Sequence, residues 1–256
     1  MIQPKPVDPA IYSEQYFTAM CDGFNSFERR ELLERFKKAL RLAGLQKGQR
    51  VLDLGCGRGE LVHACNDQSS IAVGSDYAPP ALKLAQKLKG AKNRVVQANA
   101  RKLPFKSNSF DIVFFLETYE HLHDWEIRET LSEVRRVLKE GGRLIVSTSP
   151  NAWLAKPLYG VAGLFGIKRG INERVHVNEQ SRESLHGTLT RNGFDARVEL
   201  EYQPEWFEAA LGGKGFKSLA RVFIGVTKSR PIKFLATHTP AGLFLCTHVW
   251  ARAVKK

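Results

Sequence analysis

Apolar side chains within Ser26–Ala43 recur at Phe27, Leu32, Leu33, Phe36 and Leu40, a helical spacing, and Gly44 supplies a stop. The pattern then changes. Arg50–Leu54 (RVLDL) is a short apolar run entering a glycine cluster, which predicts a buried parallel strand and a tight turn. A helix over Glu60–Asn66 and a second strand over Ile71–Ser75 follow. Pro79 and Pro80 open the next helix, where a missing N–H does no harm, and Gly90 closes it. Strand three is predicted at Arg94–Gln97. The turn Lys106–Ser109 leads into strand four, Phe110–Leu116. Asp124 can cap a helix running to Lys139, Gly141-Gly142 ends it, and Arg143–Ser147 is strand five. Such alternation predicts an α/β fold, a doubly wound and mostly parallel sheet with helices on both faces.

Beyond Pro150 the rhythm breaks. Asn151–Lys168 is rich in Trp, Leu, Gly and Phe and is bordered by Lys156 and Lys168-Arg169. A helix over Ser181–Asn192, a strand over Phe194–Leu200 and a terminal strand over Leu243–Ala251 complete a seven-stranded Rossmann-like sheet. Between the last two strands lies a basic, apolar insertion of roughly forty residues, too long for an ordinary connection. The organisation expected is a helical cap over 1–44, a ligand-binding core over 45–150, and a segment over 151–256 that finishes the core and adds lid insertions.

With 43% hydrophobic and 25% charged residues the 256-residue chain is an ordinary globular composition. Its four cysteines (Cys21, Cys56, Cys65, Cys246) show no metal-ligand spacing and read as free thiols of a cytoplasmic protein. The opening residues, MIQPKPVDPAIYSEQ, lack the apolar run of a signal peptide, and no stretch reaches the roughly 18 apolar residues of a membrane span. The net charge of +13 is the unusual feature. It favours anionic partners: nucleic acid, an anionic membrane surface or a phosphorylated substrate. A basic surface that only aids solubility is the alternative.

Ligands in doubly wound sheets bind outside the carboxyl ends of the strands. Asp53-Leu54-Gly55-Cys56-Gly57-Arg58-Gly59 follows strand one, and its glycines allow a sharp turn and close backbone approach. It fits neither G-x-G-x-x-G spacing nor a phosphate-binding P-loop. Asp76 ends strand two about twenty residues on, where an acid can bind both hydroxyls of a ribose. Asn99, after strand three, can accept a hydrogen bond from an adenine amino group, and Ala100 beside it offers a backbone N–H.

The ordered segments VLDLGCGRGE, GSDYAPPAL, NARKLPFKSNSFDIVFFLE and VRRVLKEGGRLIVSTSPN resemble successive motifs of the class I S-adenosylmethionine (SAM)-dependent methyltransferases, in their broad small-molecule branch. The likeness runs from about Leu45 to Asn151. It implies SAM as cofactor, held by Asp53, Gly55, Cys56, Gly57, Gly59, Asp76, Tyr77, Asn99, Ala100 and Glu117. The family's usual residue at Asn99 is Asp, and Asn keeps the acceptor oxygen. Near the N-terminus Tyr12, Tyr16 and Phe17 either close over the cofactor or simply pack.

The acceptor side is less determined. Glu117-Thr118-Tyr119-Glu120-His121 follows strand four, and His176 follows strand five. This E-x-x-E-H…H arrangement resembles the small-RNA terminal 2′-O-methyltransferases, and its first part the ubiquinone-pathway O-methyltransferases. Carried over, Glu117, Glu120, His121 and His176 would bind a divalent metal ion with mixed oxygen and nitrogen ligands. Many relatives have a Glu-His pair here without a known metal, so His121 as a general base beside Glu120 stands equally. His63, His123, His186, His238 and His248 have no partners at telling spacing. Phe216–Leu235 mixes apolar residues with Lys217, Arg221, Lys228, Arg230 and Lys233, a character suited to a membrane interface or to a lid. The expected activity is O-methylation of a hydroxyl on a small, lipid-linked, isoprenoid or sugar-bearing acceptor, with peripheral membrane contact. RNA 2′-O-methylation and a non-catalytic SAM-binding protein are the alternatives, and no recognisable RNA-binding module supports the first of these.

Overall fold

The strand sequences are apolar on alternating positions of both faces, and that double alternation decides the architecture. The computed structural model describes residues 3–164, 172–204 and 225–256. Strands β1 (Arg50–Leu54), β2 (Ile71–Asp76), β3 (Val95–Gln97), β4 (Phe110–Leu116), β5 (Leu138–Thr148), β6 (Phe194–Glu201) and β7 (His248–Lys255) form one sheet in the order β3-β2-β1-β4-β5-β7-β6. The first five pair in parallel, while β7 runs antiparallel to both β5 and β6. The expected Rossmann-like, mostly parallel seven-stranded sheet is what forms.

Val51, Ile112, Phe114 and Ile145 point to one face of this sheet, where α3 (Glu60–Asp67) and α4 (Pro79–Ala85) bring Leu61, Val62 and Leu84. Leu52, Leu54, Val113, Phe115 and Val146 point to the other. There α5 (Asp124–Val137) supplies Ile127, Leu131 and Val134, and α8 (Arg182–Arg191) supplies Leu185 and Leu189. Fully burying each such side chain stabilises the fold by about 1.5–3 kcal/mol, so β4, buried on both faces, anchors the sheet.

Several boundaries differ from the sequence reading. The helix expected over Ser26–Ala43 is two, α1 (Phe24–Arg29) and α2 (Glu34–Ala43). Arg30 adopts φ +59°, its amide and that of Glu31 close the first helix, and Leu33 folds back over Gly23. The helix opened by Pro79 is regular only to Ala85 and reaches Gly90 through turns. Helix α5 ends at Val137 rather than Lys139 because Leu138 already pairs with Phe110, and the register shift before Ile112 absorbs three extra residues between Leu138 and Arg143.

The stretch after Pro150 contains α6 (Ala152–Leu164) and α7 (Asn172–Val175), while residues 165–168 of it lie outside the described residues. Of the long insertion, residues 205–224 lie outside them as well, and the described part holds α9 (Arg230–His238). Leu243–Leu245, expected as strand, belongs to the short helix α10 (Gly242–Leu245), and β7 begins only at His248. Pro240 starts that helical turn, and Asn151 Nδ2 holds it by donating to the Leu243 and Cys246 carbonyls at 2.9 and 3.1 Å. No helix among the described residues is long and apolar enough to cross a membrane.

Candidate active site

The carboxyl ends of β1, β2, β3 and β4 open onto a cavity of about 700 Å³, within the range of small-molecule sites. Its floor is the turn after β1. Gly55 takes φ +75° there, and a Cβ would stand 2.2 Å from Thr118 Oγ1, so the backbone of this loop touches the β4 loop directly. Gly57 also has positive φ, but a Cβ on it would meet nothing within 4 Å, because it faces the cavity. Asp76 at the end of β2 braces the turn. Its carboxylate accepts from Gly57 N and from Ala78 N, both at 2.8 Å. Ionised carboxylates offer about four lone-pair sites, so acceptors remain for the hydroxyls of a ligand.

Asp53, Gly55, Cys56, Gly57, Asp76, Tyr77, Asn99, Ala100 and Glu117 all line this one cavity. Gly59 does not. It caps α3 with φ +78°, and a Cβ would press on Ala85 at 2.9 Å and Ala91 at 3.0 Å, so helix packing is what requires glycine there. The floor is electronegative. Burial, reinforced by Glu60 and Asp76, pushes the Asp53 carboxyl up to about 8. Such a carboxyl is stabilised by an incoming positive charge. A ligand carrying a cation and vicinal hydroxyls, as SAM does, fits this floor.

The cover comes from the N-terminus. Lys5–Pro9, Tyr12, Tyr16 and Phe17 form its wall, with Tyr12 edge-on to both Tyr16 (5.2 Å) and His121 (5.8 Å). Trp125 Nε1 donates to the Pro4 carbonyl at 3.1 Å, and the His123 ring lies 3.0 Å from the Lys5 carbonyl. Arg58, which the sequence reading passed over, is buried and pins the cover from below. Its guanidinium donates to the carbonyls of Phe17 and Asp22, each at 2.7 Å, and pairs with Glu60 at 2.9 Å. Its place inside the glycine turn beside an acid was the available signal.

On the acceptor side the two carboxylates part company. Glu117 has φ +47°, a strained left-handed backbone for a residue with a side chain. Its carboxylate accepts from Ser147 Oγ (2.7 Å) and Ser149 Oγ (2.6 Å). Glu120 turns the other way, accepting from Thr148 Oγ1 at 2.9 Å, and does not line the cavity. Despite its burial, Glu117 is held below the usual carboxylate range by His248, the two serines and Arg35. Burial and the nearby Glu117 charge raise Glu120 well above it. The surroundings thus favour the ionised form of Glu117 and the neutral form of Glu120. Both His248, given no role from sequence, and Arg35 act here.

His121 lines the cavity, and its ring packs edge-to-face on His176 at 5.2 Å. Burial first, and His176 second, push the His121 imidazole down to about 3, so it is neutral at neutral pH. Its Nδ1 has no hydrogen-bond partner among the described residues. Glu120, His121 and His176 each place one potential ligand atom within 4.8 Å of the others. Of the four residues expected from the sequence as metal ligands, three thus come together, while Glu117, committed to the serines, stands outside the group. Neither Glu120 nor His176 reaches the cavity wall, which leaves His121 as the member that faces an acceptor.

The model of the methyltransferase domain family matches residues 52–146. The chain is 31% identical over 184 residues to a demethylmenaquinone methyltransferase of Thermus thermophilus, covering 64% of this chain and 82% of the relative. It is 35% identical over 177 residues to a ubiquinone/menaquinone biosynthesis C-methyltransferase of a Shewanella species, covering 65% and 66%. A SAM-dependent methyltransferase structure from Archaeoglobus fulgidus superposes with a TM-score of 0.58 at 22% identity, covering 90% of this chain and 98% of that one.

Proposed function

Because the chain belongs to the class I SAM-dependent methyltransferases, we propose that it methylates a hydroxyl of a small, lipid-linked acceptor and that His121 receives the hydroxyl proton. The observation that carries this reading is the neutral His121 imidazole on the cavity wall, with a buried Nδ1 lacking a hydrogen-bond partner among the described residues. Bound SAM supplies an electrophilic methyl group on a positively charged sulfur. The protein's own residues do the rest. Asp76 and the Gly55–Gly57 turn fix one end of the cavity, and Tyr12, Tyr16 and Phe17 exclude water from it. Holding the acceptor in line with the methyl carbon is most of the work in such a displacement. The names of the quinone-pathway relatives support an apolar acceptor. They also make methylation at carbon the outcome to test against.

One number favours a second reading. An imidazole held near 3 is a weak base, since general bases work best near the operating pH. Two histidines, one of them neutral at neutral pH, beside a carboxyl suit a divalent cation, whose ligands must be deprotonated. Glu120, giving up its proton to the ion, would hold it with His121 and His176, and such an ion would lower the pKa of a hydroxyl that reached it past His121, the ligand bordering the cavity.

Labelled SAM incubated with the protein and a membrane extract, then separated into lipid, RNA and polar fractions, tests both readings. Label in lipid as a methyl ether is expected. A carbon-methylated lipid product corrects the atom, label in RNA replaces the acceptor class, and no label despite tight SAM binding leaves a non-catalytic binder. Loss of turnover in chelator, restored by a divalent ion, supports the cation; full rate in verified metal-free protein leaves His121 as the base.

A further inference from the structure

The charge of this chain is unevenly distributed. After Glu208 the sequence has no Asp or Glu and nine Lys or Arg, so most of the net +13 belongs to its last 48 residues. In space, α9 carries two of those nine, Arg230 and Lys233, α6 adds Lys156, and the uncharged α10 packs on both helices. Trp153 of α6 and Phe244 of α10 meet edge-to-face at 5.7 Å, yet both are exposed. Phe234 and Phe244 are 58% and 53% exposed, and Leu235 beside Phe234 is exposed as well. Lys156, Arg230 and Lys233 project from the same helices, also exposed.

Topology places this layer. Helix α6 begins directly beyond the carboxyl end of β5. Helix α10 feeds β7, whose first residues pair with the end of β5, Val249 opposite Thr148. The apolar, basic layer therefore stands at the same edge of the sheet onto which the cofactor cavity opens. Exposed aromatic and aliphatic side chains bordered by lysine and arginine suit an interface where one side is hydrocarbon and the other anionic headgroup. Glu183 accepts from Trp153 Nε1 at 3.4 Å at one border of the layer, while the three helices themselves carry Lys156, Arg230 and Lys233 and no acid, a charge that an apolar protein partner would not call for.

We propose that α6, α9 and α10 form a membrane-docking surface that seats the cavity-bearing edge of the sheet on an anionic bilayer. The inference stands apart from the acceptor: it concerns where the protein rests, and its test needs no turnover. Flotation of the whole protein with vesicles of phosphatidylglycerol and phosphatidylcholine is the experiment. Binding is expected at low salt and is expected to weaken as salt rises, since the screening length falls from about 10 Å at 0.1 M to about 3 Å at 1 M. Each basic side chain near such a surface is worth roughly fivefold in affinity, so the Arg230→Gln/Lys233→Gln variant should bind about 30-fold more weakly. Phe234→Ser/Phe244→Ser should also lose vesicle binding. Both variants alter exposed side chains outside the cavity, so their SAM affinity should match the unaltered protein, which controls for folding. Failure of the unaltered protein to float with anionic vesicles at low salt overturns the proposal. So does equal flotation with phosphatidylcholine alone that ignores the Arg230→Gln/Lys233→Gln change. If that variant floats normally but loses retention on RNA, the face belongs to nucleic acid and the proposal also fails.

Discussion

Asp76 does two jobs at once, and its replacement separates them. Its two oxygens accept the Gly57 and Ala78 amides at 2.8 Å each, fixing the turn after β1 and the entry to α4, and the same carboxylate faces the cavity. In Asp76→Asn one oxygen becomes NH2, so one of those two amides loses its acceptor. Leaving a buried donor unsatisfied costs about 1–3 kcal/mol. For a chain of this size that lowers Tm by roughly 2–4 °C per kcal/mol. Asp76→Ala strands both amides and should cost about twice as much. The ligand-facing loss is separate: a hydrogen bond to a charged group contributes about 1.5–3 kcal/mol, which is roughly 10- to 100-fold in SAM affinity. Calorimetric titration with SAM and thermal unfolding of each variant measure the two effects independently. A folded Asp76→Asn protein that binds SAM as tightly as the original refutes the assignment to the ribose hydroxyls, and one with unchanged Tm refutes the bracing of the turn.

Gly55→Ala puts a methyl group into Thr118 and forces an alanine to φ +75°, so a loss of about 2–3 kcal/mol is expected by thermal unfolding. Adding Thr118→Ala should recover only part of it, and an unperturbed Gly55→Ala protein would contradict the contact. Asp53 sets a pH dependence. Its folded value of about 8 exceeds the unfolded carboxylate range, so its neutral form stabilises the ligand-free protein below about pH 4 and that contribution is lost as pH rises to 8. Unfolding free energies of the original minus Asp53→Asn should therefore fall across pH 4 to 8, by on the order of a few kcal/mol, and then level off. A flat difference would mean that Asp53 is ionised throughout.

The parts legible in the sequence share a physical cause. FDIVFFL reads as a strand because a strand buried on both faces needs an unbroken apolar run, and β4 is such a strand. Positive φ at Gly55 and Gly57, and an acid about twenty residues on, follow from the turn a ligand needs, and the cavity gathers all three. What was illegible depends on contacts distant in sequence. Leu243–Leu245 is too short an apolar run to declare its period, and Asn151 decides it. Nothing near Gly59 announces Ala85 and Ala91.

The acceptor motif shows the difference most clearly. Two glutamates three apart imply a helical turn aiming both carboxylates at one point. The helical turn instead starts at Tyr119, after Glu117 has taken its left-handed backbone. Strand β5 then sorts the two carboxylates by its own alternation. Side chains in a strand point to opposite faces in turn, so at the end of β5 Ser147 reaches Glu117 and Thr148 reaches Glu120, and Ser149, the first residue beyond the strand, joins Ser147 on Glu117. The ionised form is thereby favoured for the carboxylate on the cavity wall and the neutral form for the one behind it, beside His121. The chemistry of E-x-x-E-H in this chain is written as much in Ser-Thr-Ser, thirty residues on, as in the motif itself.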